Sequence, residues 1–202
     1  MPSTYDRYTT HRTSRRTTGW DYTQTAVYFV TICTHDRARL FGTVHEGRMR
    51  LNDVGRIVAG EWRRSESIRA EMTIDAFVVM PDHMHGIVWM HRDDARGTER
   101  SAHPASHGGA TLGDGDPPDP DTKATGLHRP ARSLGSFVAG FKSAATARIN
   151  RHRAMPGEPV WQRNYHDRII RTSRHLHAAR RYVRQNPARW AADGRGAEGG
   201  GT

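Results

Sequence analysis

The chain has 202 residues, of which 35% are hydrophobic and 26% charged, with a formal charge of +10. That composition cannot pack along its whole length, so a core of roughly 130 residues with polar extensions is expected. The positive balance favours a nucleic-acid partner; the single Cys33 excludes an intrachain disulfide, and no apolar run nears the roughly 18 residues of a membrane span.

Residues 1–20 read as a basic flexible arm without the apolar stretch of a signal peptide, so a cytoplasmic, nucleoid-associated protein is expected. From Ala26 to Thr34 the β-branched and aromatic residues give the composition of a buried strand. Leu40 to Leu51 reads as a hairpin with Glu46-Gly47 at its turn. Asn52 or Asp53 can cap a helix whose apolar stripe is Val54, Ile57, Val58 and Trp62, running to about Arg64.

Ile74 to Met90 is the stretch around which the chain is organised. It reads as one long strand, or as two strands kinked at Pro81, with a bulge beside the histidines where proline removes a ladder donor. Residues 92–130 are rich in Gly, Pro, Asp and Ser and read as a disordered insertion within one domain. Ser133 caps a helix marked by Leu134, Phe137, Val138, Phe141, Ala145 and Ile149. A strand follows over about Tyr165 to Arg171. A last helix, capped by Thr172 or Ser173, should end near Asn186 because of Pro187. Residues 191–202 read as a disordered tail. The order of elements predicts an α+β fold, an antiparallel sheet with helices on one face, formed by 21–91 and 131–190.

Candidate chemistry begins with His83 and His85. In a strand, alternate residues share a face, so two imidazoles about 7 Å apart along the chain can converge on one metal ion. In a chain with 13 histidines such a pair arises more often by chance, and no His-Glu-x-x-His or Cys-x-x-Cys accompanies it. On the last helix Tyr182 and Asn186 lie one turn apart on one face, beside the packing stripe Leu176, Ala179 and Val183. Rim packing is the commoner role for such a tyrosine. Together, however, two imidazoles, an amide oxygen and a phenol are the parts for metal-assisted phosphodiester cleavage by a tyrosine nucleophile. Tyr165 is the competing nucleophile.

Several blocks occur in a telling order: Tyr28-Phe29-Val30-Thr31-Ile32-Cys33-Thr34, then Val78 to Val88 around His83-Met84-His85. Ser133 to Ser143, Val160-Trp161-Gln162-Arg163-Asn164-Tyr165, Ile169-Ile170-Arg171 and Tyr182-Val183-Arg184-Gln185-Asn186-Pro187 follow. Over residues 15–92 and 132–190 the chain resembles the single-tyrosine HUH endonucleases of the IS200-like group, most closely the REP-associated tyrosine transposases. The resemblance implies a ferredoxin-like HUH endonuclease fold. It implies His83 and His85 as metal ligands, Asn186 as a further amide ligand and Tyr182 as the nucleophile forming a 5′-phosphotyrosine link. It also implies Mg2+ or Mn2+ as cofactor and single-stranded or hairpin DNA as partner, with homodimers known in the wider group. Imidazole ligation leans toward manganese. Lys142, Arg148, Arg163, Tyr165, Arg171 and Arg184 are the candidate DNA contacts.

Asp82 stands where relatives usually have Asn, adding a carboxylate that either joins the metal ligands or tunes them. His166 and Arg168 replace residues that are usually Tyr and His. Two other readings stay open: a non-catalytic nucleic-acid-binding module that keeps the fold, and a metal-dependent hydrolase of small phosphoesters.

Overall fold

The computed structural model describes residues 25–91 and 132–194. The expected arm 1–20, the insertion 92–130 and the tail beyond 194 lie outside the described residues. Strand β1 (Ala26–Cys33) leads through a short 3-10 turn (His35–Arg37) to a hairpin of β2 (Gly42–His45) and β3 (Arg48–Leu51). Helix α1 (Asp53–Ile68), β4 (Met72–Met80), β5 (His83–Met90), α2 (Leu134–Arg153), β6 (His166–Ile170) and α3 (Ser173–Ala192) follow.

The four long-range strands form one sheet in the order β4-β5-β1-β6, antiparallel at every junction. With α1 and α2 as the two crossovers this is the βαββαβ arrangement of a ferredoxin-like fold, to which the small hairpin and α3 are added. Local chemistry explains the elements. The Asn52 side chain accepts the Gly55 N–H and caps α1, a device that stabilises a helix by about 1 kcal/mol. Ser133 and Ser136 form a reciprocal capping box on α2. Glu46 and Gly47 both take positive φ, 51° and 70°, as a two-residue type I′ hairpin turn requires.

The α+β class and the antiparallel sheet are as the sequence predicts, but the helices do not all lie on one face. Helices α1 and α2 cover the face formed by Tyr28, Val30, Ile32, Met84 and Val88, with Trp62, Phe137 and Phe141 at its centre. Helix α3 covers the other face, where Val183, Leu176 and Ala179 pack on Val27, Phe29, Ile87 and Trp89. Strand alternation accounts for the split: both faces of the sheet carry apolar residues, so both need a cover.

Three further expectations are corrected. The stretch Ile74 to Met90 is neither continuous nor merely kinked; Met80 pairs with His83 across a tight hairpin. Pro81 sits in its turn, outside the ladder, where a missing N–H costs no strand bond. The Pro81 carbonyl accepts the Phe41 N–H, while the Asp82 carbonyl accepts both the N–H and the hydroxyl of Thr34. The bulge lies instead at Asp75, between Ile74 and Ala76. Finally, α3 passes through Pro187 to Ala192, past the expected end at Asn186. The Val183 carbonyl forfeits its helical donor there, but continuation buries Trp190 against the His83 ring, with centroids 5.7 Å apart, and aromatic burial offsets that loss. No helix among the described residues is long and apolar enough to cross a membrane.

Candidate active site

Strand β5 is central, as the apolar flanks of the His-x-His pair predict, and His83 and His85 project from it onto the α3 face. Both are buried. Their Nε2 atoms stand 3.1 Å apart. Two nitrogens bound cis to one octahedral ion at about 2.1 Å stand about 3.0 Å apart, so the pair is spaced for a shared cation. Each ring is turned by its other nitrogen. His83 Nδ1 lies 2.5 Å from Asp82 Oδ1, and His85 Nδ1 lies 2.8 Å from Thr31 Oγ1, its partner across the β1–β5 ladder. Outer contacts of this kind orient metal-binding imidazoles. Burial, then the charges of His83 and Arg37, push the His85 pKa well below the usual histidine range. Its ring is therefore neutral at pH 7, the form that offers a lone pair.

Asp82 is fixed in turn. Its second oxygen lies 3.2 Å from Arg37 Nε, and the same guanidinium donates to Cys33 Sγ at 2.9 Å. Both Asp36 and Arg37 adopt left-handed φ, 49° and 57°, a conformation that costs about 1 kcal/mol or more in a non-glycine residue. The Asp82 carboxylate thus lies on the Nδ1 side of His83, an orienting position away from the converging Nε2 atoms. Burial raises the pKa of the Cys33 thiol, which stays protonated and structural.

Helix α3 brings Tyr182 to the same point. Its hydroxyl is 3.5 Å from His85 Nε2, and its ring packs edge-on against His85 and Phe29, with centroids 5.2 and 5.8 Å apart. The Arg189 guanidinium sits 5.5 Å over the Tyr182 ring. Asn186, one turn on along the same side of α3, is buried. Among the described residues no group of three or more His, Cys, Asp or Glu side chains is gathered for a metal. The donors here are two converging imidazoles with a phenol close by and a buried amide one helical turn from that phenol, a set that fits an oxygen-seeking divalent cation tolerant of imidazole.

The expected DNA contacts are not gathered around this centre. Lys142 donates to the carbonyls of Gln162, Arg163 and Asn164, holding the loop before β6. Arg148 pairs with the buried carboxylate of Glu61 and ties α2 to α1. Tyr165 packs on the α1–α2 core, on the far side of the sheet from Tyr182. Lys142 and Arg163 border a groove of about 1010 Å³ between α2 and residues 154–163, which none of the site residues lines. Arg171 is exposed just after β6, and Arg184 is exposed on α3. Two residues past Tyr182, Arg184 is turned roughly 160° away around the helix.

Sequence reasoning missed Thr31, Phe29, Arg37 and Arg189 as parts of this centre. Alternation in β1 places Phe29 and Thr31 on one face, but nothing local tells which face meets the histidines.

No family model matches the chain. It is 30% identical over 193 residues to an uncharacterized protein of Haemophilus influenzae, covering 96% of this chain and 97% of that one. Among solved structures, a REP-associated tyrosine transposase bound to a REP hairpin covers 84% of this chain and 71% of its own, at TM-score 0.49 and 15% identity.

Proposed function

The chain belongs to one family with the uncharacterized Haemophilus influenzae protein, and we propose that it is a metal-dependent tyrosine endonuclease and strand transferase of the HUH, REP-associated transposase type. Its substrate would be single-stranded, hairpin-forming DNA. One observation carries this reading: the Tyr182 hydroxyl meets the Nε2 of buried His85, which itself converges on the Nε2 of buried His83, the three atoms coming from two segments about a hundred residues apart in sequence.

His83, His85 and Asn186 would hold a divalent ion, Mg2+ or Mn2+, which when bound supplies electrophilic stabilisation of the scissile phosphate. The chain's own residues do the rest. Asp82 and Thr31 keep the imidazoles turned inward. Phe29 and Arg189 hold the Tyr182 ring on two sides, fixing its oxygen for attack. The phenol loses its proton, its oxygen bonds phosphorus, the P–O3′ bond breaks, and the departing O3′ takes up a proton. The product is a 5′-phosphotyrosine, and reversal by another 3′-hydroxyl rejoins strands. Packing aside, the chain's net charge of +10 suits a polyanionic strand.

The test is a gel assay for a covalent protein–DNA adduct with labelled single-stranded hairpin oligonucleotides, in manganese and in chelator. A metal-dependent adduct lost in Tyr182→Phe and in His83→Ala, with binding retained in Tyr182→Phe, supports the reading. Binding without an adduct in either metal would leave a DNA-binding module that keeps the fold. An adduct that survives Tyr182→Phe would move the nucleophile elsewhere.

A further inference from the structure

The sheet continues past the histidines on the α3 face. Across the ladders, His85 stands opposite Thr31 and Thr31 opposite His166; one row over, Ile87, Phe29 and Arg168 form the parallel series. Directly opposed residues share a face, with β-carbons about 5 Å apart. His166 and Arg168 therefore rise on the Tyr182 side of the sheet, two strands from the imidazoles. Neither side chain makes a hydrogen bond or ion pair among the described residues, and Arg168 is exposed. Elsewhere on this face the polar side chains are paired, His85 with Thr31 and His83 with Asp82, and the apolar ones pack under α3.

Helix α3 leaves this strip open. Its Arg180 flank reaches the β4 side of the sheet, where it pairs with Asp75. Tyr182 lies on the opposite flank of the helix, its ring against Phe29 of β1, and Arg189 stacks on that ring. The gap between that flank and β6 is floored by Phe29 and Thr31, both only partly buried. It is closed at one end, where Ile170 and Leu176 join the apolar cluster as the chain turns into α3.

We propose that this strip is a strand-binding channel in which Arg168 and His166 hold the backbone phosphate next to the one attacked by Tyr182. The proposal rests on the tyrosine-nuclease reading and adds to it the residues that seat the strand. Arg168 supplies charge and a donor fork suited to a phosphate, while His166 supplies a ring N–H. The floor ring of Phe29 offers a face for a base.

The test uses the full chain and a labelled single-stranded hairpin oligonucleotide. Affinity is followed across a salt series, and adduct formation is followed against oligonucleotide concentration. Removing one phosphate contact to a single strand lowers the slope of log K against log salt by about 0.7. Arg168→Gln should show that loss, with a severalfold higher KM and an unchanged adduct rate at saturation. Arg168→Lys should restore the slope, and His166→Ala should raise KM alone. Arg64→Gln, on the helix covering the other face, should leave the slope as in the wild type. An unchanged slope in Arg168→Gln, an equal loss in Arg64→Gln, or a fall in the saturating rate with affinity intact would each overturn the channel while the wild-type adduct stands. No binding and no adduct in the wild type would overturn the nuclease reading, and the channel with it.

Discussion

Arg180 forks onto Asp75: its Nε and Nη2 donate to the two carboxylate oxygens at 2.8 and 2.6 Å, at the single register shift in β4. The Trp89 indole donates to the same carboxylate at 3.0 Å. The bulge turns Asp75 toward α3, and the fork pins that helix two residues before Tyr182. The Arg180 hydrogen bond, helped by Trp89, holds the Asp75 carboxyl below its usual range. As pH falls below the ordinary value near 3.8 the unfolded chain binds the proton first, so the contribution to stability is full at neutral pH and lost through the folded pKa. Asp75→Asn should melt below the wild type at pH 7, and the gap should close as pH drops through that window. A gap that persists once the Asp75 carboxyl is protonated in both the folded and the unfolded chain would mean the fork is not its source.

Asp82→Ala removes the partner that turns His83. Outer contacts of this kind are worth about 10- to 100-fold in metal affinity. Titration calorimetry with manganese should show a loss in that range. Asp82→Asn, which keeps an acceptor for His83 Nδ1, should lose less. Equal losses in the two variants would assign Asp82 to direct ligation instead.

Gly86 lies between the histidines and Val88, on the α1–α2 side of β5. A β-carbon there would stand 2.3 Å from Trp62 Cζ2, and Trp62 is fully buried among Phe137 and Phe141. A rigid indole so enclosed cannot yield cheaply. Gly86→Ala should cost about 1–3 kcal/mol in denaturant unfolding, and a neutral result would show the core to be looser than this packing.

Lys142 separates structural cations from DNA-binding ones. Its ammonium caps three loop carbonyls, so Lys142→Met should lower the thermal midpoint and leave the salt dependence of DNA binding unchanged. A lowered salt slope with an unchanged midpoint would return Lys142 to the DNA contacts.

The sequence alone determined what short-range periodicity controls. The buried strand at Ala26, the hairpin at Glu46-Gly47, the Asn52 and Ser133 caps and the apolar stripes of all three helices depend on neighbours within a turn or a strand. For the same reason His83 and His85 were legible as one face, and Tyr182 and Asn186 as one turn. Only the tertiary structure decided that Tyr182 meets the histidines, because α3 covers the opposite side of the sheet from α1 and α2, and two apolar sheet faces do not announce which helix each will take. It likewise assigned Lys142 and Arg148 to carbonyls and to Glu61, which lie 20 or more residues away in sequence. The row from His85 through Thr31 to His166 exists only through cross-strand register, which joins three distant segments by backbone hydrogen bonds that leave no local trace in the sequence.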